Sequence, residues 1–223
     1  MQFELKIKLN DKLYLKDPIE SELGRLIVKE ALPLLNNLGF EDFTFKKLAI
    51  QINTTEASVY RYFENKHKLL VYYLAWYWSL MQYRIEFSTQ NITSAELKIK
   101  RIIKILVNPV QKIQHLQFFD EEILGKVIVE EGAKSYLTKN VKIENKDKLF
   151  KPYKDICELI SKLIKEYNPN YKYSHSLATT LLEISHFHKF HSHYLPSLTD
   201  VKYGDEKKLI GYLNHILFSS LKK

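Results

Sequence analysis

Between Asp17 and Phe87 the apolar residues recur every three or four positions in four successive stretches, separated by short polar breaks. Ile19, Leu23, Ile27, Ala31, Leu34 and Leu38 form the first stripe and predict a helix with one buried face. Asp17-Pro18-Ile19-Glu20 is its expected entry, with Asp at the cap, Pro at the first helical position and Glu at the third. Pro33 predicts a bend inside this helix, and Gly39 its end. Thr44 is placed to cap a second, short helix whose Leu48, Ala49 and Ile52 face the first. Asn53 falls in a tight turn, where Asn tolerates the left-handed backbone. Thr54 or Thr55 caps a third helix held to the core by Val59 and Phe63. Asn65 caps a fourth that runs to about Phe87. Two short helices joined by a tight turn, the second with small polar and aromatic residues outside, are how a helix-turn-helix reaches a major groove.

The flanks read differently. Residues 3–15 alternate, with Phe3, Leu5, Ile7 and Leu9 on one side and Glu4, Lys6 and Lys8 on the other, which predicts a short extended arm or hairpin. Such an arm either packs on the body or carries Lys6, Lys8 and Lys12 toward DNA. Beyond the fourth helix the pattern is helical throughout, near 94–116, 119–139, 149–167, 174–194 and 205–221. The polar stretch Lys139–Lys148 reads as the best loop. The expected class is therefore all-α.

Composition narrows the picture. The 223 residues are 45% hydrophobic and 27% charged, enough for a real core, and 6 Gly with 6 Pro leave little material for turns. The single Cys157 excludes an internal disulfide. The start Met-Gln-Phe-Glu-Leu-Lys lacks the apolar centre of a signal peptide. Leu69–Met81, the longest uncharged apolar run, is well short of the roughly 20 residues a membrane span needs. A cytoplasmic protein with no membrane partner is expected. The net charge of +8 points to nucleic acid only weakly, because residues 1–70 carry eleven Lys and Arg against ten Asp and Glu.

Phe-Thr-Phe-Lys-Lys-Leu-Ala at 43–49 and Thr-Glu-Ala-Ser-Val-Tyr-Arg-Tyr-Phe-Glu-Asn-Lys at 55–66 resemble the TetR family of bacterial transcriptional regulators, members from Bacteroidetes above all. The resemblance covers about residues 18–75. It implies a helix-turn-helix domain over 1–64, including the N-terminal extension, and a helical ligand-binding and dimerisation domain over 65–223. Carried over by position, Thr44 and Lys46 touch phosphates, and Thr55, Glu56, Ala57 and Ser58 open the recognition helix toward bases. Tyr60, Arg61 and Tyr62 contact backbone or base edges, and Lys66 binds a phosphate at a helix N-terminus. Each also has a plainer role: Tyr60 and Tyr62 as packing, Arg61 and Lys66 as solvated charges. Glu56 stands where family members often have Lys, and a carboxylate near phosphates is repelled unless it accepts from a cytosine amine.

Three further patterns invite a function. Tyr72, Trp76, Leu80, Tyr83 and Phe87 share one face of the fourth helix, which suits either an aromatic-walled ligand pocket or ordinary core. Leu181, Leu182, Ile184, Leu209, Leu213 and Ile216 give the last two helices apolar faces, for a homodimer interface or for the monomer's own core. In the run His186–His193, His188 and His191 lie one turn apart, but with no Cys near and only Glu183 as a loose third ligand no metal is assigned. No catalytic motif and no cofactor signature are present. The sequence thus reads as a homodimeric regulator, a repressor, that binds palindromic double-stranded operator DNA and is released by a small-molecule effector. The rival is a helical ligand-binding or interaction protein of the same fold without operator binding.

Overall fold

The computed structural model describes residues 7–108 and 120–222. The described residues form ten α-helices joined by short 3-10 turns, with no strand. The start of the expected arm and residues 109–116 of the expected fifth helix lie outside them. The chain divides into two compact units, Met1–Tyr77 with Lys112–Lys151 and Trp78–Gln111 with Pro152–Lys223.

In the first unit the arm is extended at Asn10 and Tyr14, with a 3-10 turn, Asp11–Leu13, between them. It is tied down: Leu13 is fully buried, Leu15 donates its N–H to the Tyr62 carbonyl at 2.8 Å, and Lys12 pairs with Asp147. The Asp17-Pro18 entry makes its own 3-10 turn, Pro18–Glu20, capped by Asp17. Helix α1, Glu22–Asp42, starts later than expected, at a Ser21 cap whose hydroxyl accepts the Gly24 N–H at 3.1 Å. Gly24 is required there, because a Cβ would lie 2.3 Å from the Pro18 carbonyl oxygen. The helix continues through Pro33 and breaks at Gly39, which takes φ 73°. Ile27, Val28, Ala31, Leu32 and Leu35 form its buried side.

Helices α2, Phe45–Gln51, and α3, Glu56–Tyr60, follow, and α4, Lys66–Thr89, runs on into the second unit. Helix α6, Glu121–Glu131, packs along α1. The stretch expected to be a loop at 139–148 contains a short helix, α7, Val141–Lys146. Its Glu144 is buried, accepts from His67 at 3.0 Å and pairs with Lys68. A charged stretch can fold inward when its carboxylate finds donors to meet.

In the second unit α5, Ala95–Val107, packs with α9, Ser174–Tyr194, and α10, Glu206–Ser220. Ile99, Ile103, Leu106, Leu177, Leu213 and Leu217 belong to its core, together with Ile156, Ile160 and Ile164 of α8, Lys151–Tyr167. Among the described residues no helix is long and apolar enough to cross a membrane.

Candidate nucleic-acid interface

The local chemistry of residues 43–66 builds a helix-turn-helix. The Thr44 hydroxyl accepts the Lys47 N–H at 3.2 Å and starts α2. Asn53 adopts the left-handed φ of 52°, and the Thr54 N–H closes the turn on the Ala49 carbonyl at 2.8 Å. Thr55 then caps α3 by accepting the Ser58 N–H at 3.2 Å. Asn65 accepts the Lys68 N–H at 2.9 Å at the start of α4. Phe43, Phe45, Leu48, Val59 and Phe63 are all buried behind these helices, so the outer face is fixed by packing on its back.

Thr44, Lys46, Thr55, Ala57, Tyr60 and Arg61 are exposed on that outer side, with Glu56 and Ser58 half-buried. Tyr60 leaves 46% of its surface open while its ring meets Phe45 edge-on at 5.0 Å. Ile50 on α2 is 72% exposed, a large apolar side chain on the surface that carries Lys46. Its phase could have flagged it, because it falls two residues after the buried Leu48.

Two of the expected contact residues are used inside the protein. Tyr62 is buried, and its hydroxyl shares a hydrogen bond with the Ser21 hydroxyl at 2.8 Å, so it joins the cap of α1. The Lys66 ammonium is engaged within the chain. It donates to the carbonyls of Phe40 at 2.7 Å, Glu41 at 2.8 Å and Phe43 at 3.1 Å, gathering the acceptors at the end of α1. Lys47 is turned the same way, onto the Asp42 carbonyl at 2.7 Å.

Residues 27–73 match the family described as bacterial regulatory proteins, tetR family. These residues are thus similar to the N-terminal domain of that family. Most of the chain shares its fold with solved structures of bacterial regulators. It superposes with a TM-score of 0.59 on AibR in complex with isovaleryl coenzyme A and operator DNA, at 13% identity, covering 87% of this chain and 98% of that one. It superposes with a TM-score of 0.58 on the fatty acid degradation regulator FadR from Bacillus halodurans, at 16% identity, covering 88% and 98%. No curated protein matches the chain in sequence.

Beyond the TetR domain, the expected pocket face of α4 does not stay on one side of the surface. Tyr72, Trp76 and Leu80 are buried, whereas Tyr83 and Phe87 are exposed and stack on each other at 6.2 Å. The expected interface is likewise mostly interior: Leu181, Leu182, Leu209 and Leu213 are buried within one chain, and only Ile184 and Ile216 are partly open. On the same helices Phe187 and Tyr212 keep 49% and 39% of their surface exposed.

The histidine run divides among several partners. His186 lies against Trp78 at 5.2 Å, and its burial, with help from the Lys189 charge, pushes its pKa down to about 3. His188 bonds Thr199 at 2.8 Å and meets the Tyr212 ring at 4.9 Å, while His193 lies against Tyr203 at 4.4 Å. Lys189 donates to the Leu106 carbonyl at 3.0 Å, and its burial lowers its pKa to about 8. Among the described residues no group of three or more His, Cys, Asp or Glu side chains is arranged to hold a metal.

Proposed function

We propose that the chain is a homodimeric transcriptional regulator, a repressor of the kind suggested by its Bacteroidetes-type motif, that binds a palindromic operator through α2 and α3 in the cytoplasm. The observation that carries this is the outer side of α3, where Ala57, Tyr60 and Arg61 are exposed while Val59 and Phe63 hold the helix from behind. A small residue at 57 lets the helix backbone come close to base edges, and Tyr60 can lay its ring on a sugar. Thr44, Lys46, Thr55, Glu56 and Ser58 complete the proposed contact surface, with the DNA-binding domain over 1–64 and the regulatory domain over 65–223. Exposed Phe187 and Tyr212 on α9 and α10, beside Ile184 and Ile216, supply the proposed dimer surface. A dimer presents two recognition helices about one DNA turn apart, roughly 34 Å. AibR, solved with both isovaleryl coenzyme A and operator DNA, supports small-molecule binding by this fold; a small-molecule effector that releases the operator is part of the proposal.

The deciding experiment is a footprint of the full-length protein on fragments of its own genome at low salt. The expected result is protection of a palindrome with half-sites one turn apart. A folded dimer that protects no sequence overturns the reading. That outcome favours a ligand-binding protein of the same fold, the reading favoured by Glu56 and by the inward turn of Lys47 and Lys66.

A further inference from the structure

The polar heads on the outer side of α3 are few once their internal bonds are counted. The Thr55 and Ser58 hydroxyls bond each other at 2.9 Å, and Thr55 also caps the helix. With Lys47 and Lys66 committed to carbonyls, Lys46 and Arg61 are the cations of residues 44–66 that have no ion pair or hydrogen bond among the described residues. Glu56 has no ion pair and no hydrogen bond through its carboxylate among the described residues, and it is only half-buried. It is an acceptor without a donor, on the helix proposed to enter the groove.

A carboxylate there is repelled by every phosphate within a Debye length, about 8 Å at physiological salt, so its presence disfavours DNA in general. The major groove offers it two amine donors, N4 of cytosine and N6 of adenine. Adenine sets the N7 acceptor beside its amine, facing the second carboxylate oxygen. Cytosine sets a C–H there instead. Guanine and thymine present only acceptors at these edges and are rejected. We infer that Glu56 is a specificity-determining residue that accepts from a cytosine amine in each operator half-site, excluding the other bases more than it adds affinity. The inference rests on the proposed operator binding.

The experiment selects sites from randomised duplex DNA with full-length wild type, Glu56→Gln and Glu56→Ala, then titrates each protein on single base-pair variants of the selected site at one salt concentration. Circular dichroism confirms that all three are folded, as expected for a side chain that touches little. Wild type should require C·G at one position per half-site, by roughly tenfold. Glu56→Gln should prefer A·T at that position, because an amide can bond N6 and N7 together. Glu56→Ala should lose the preference there and bind random-sequence DNA more tightly than wild type. If all three proteins select the same base at every position, the inference fails and operator binding stands. If folded wild type selects no sequence, both fall.

Discussion

Lys66 holds the end of α1 through Phe40: its ammonium donates to the Phe40 carbonyl at 2.7 Å and sits 4.8 Å from the centre of that residue's ring. The first residue of α4 thereby closes off the helix that precedes the helix-turn-helix, and a cation expected to meet phosphate has a structural part.

Lys66→Met should therefore destabilise the protein by about 2 kcal/mol, since it strips a charged donor from three carbonyls. Urea unfolding measures this. A variant with wild-type stability and weakened DNA binding would return Lys66 to the phosphate backbone.

Tyr62→Phe and Tyr60→Phe should separate cleanly. Removing the Tyr62 hydroxyl takes the 2.8 Å bond from Ser21 and should cost about 1 kcal/mol in unfolding, with DNA affinity nearly unchanged. Removing the exposed Tyr60 hydroxyl should leave stability alone and weaken operator binding. Paired unfolding and anisotropy titrations test both, and equal effects in the two assays would contradict the assignment.

Gly39→Ala should cost about 1–2 kcal/mol, because an L side chain is strained at φ 73° and its Cβ would stand 3.2 Å from the Glu131 carboxylate. The same carboxylate accepts the Phe40 N–H at 3.0 Å, so the substitution presses on the bond that steadies the corner. A thermal midpoint equal to wild type would show that the corner relaxes freely.

Acid should weaken the fold through His186. The unfolded chain takes up a proton near pH 6.5 and the folded chain only near pH 3. Over that interval the unfolded state binds more protons, so stability is full above pH 6.5 and is lost as pH falls, by up to about 1.4 kcal/mol per unit from this group. His186→Gln should flatten the slope between pH 6.5 and 4 in urea titrations. An unchanged slope would place the acid sensitivity elsewhere.

What the chain revealed in advance was what its neighbours in sequence decide. The caps Thr44, Thr55 and Asn65, the left-handed Asn53 and the break at Gly39 each involve partners within a few residues, so composition and spacing were enough. The tie between Glu144 and His67 spans 77 positions, and nothing in a run of charged residues announces that one carboxylate turns inward. Periodicity shows that Leu181 and Leu213 lie on apolar faces but is silent about what covers them; their own chain does. Lys66 and Tyr62 fit the same reasoning, since an outward position on a helical wheel says nothing about a long side chain that folds back.

The brace around the α1 corner limits how this chain can be cut or recombined. Glu131 bonds the Phe40 backbone, Lys134 pairs with Glu41, and Glu144 meets His67, all from residues that follow α5 in the chain. A recombinant head ending at α4 would lose every one of these props. The helix-turn-helix end is no detachable cassette, and grafting it onto a foreign partner means bringing the stretch from 120 to 151 along.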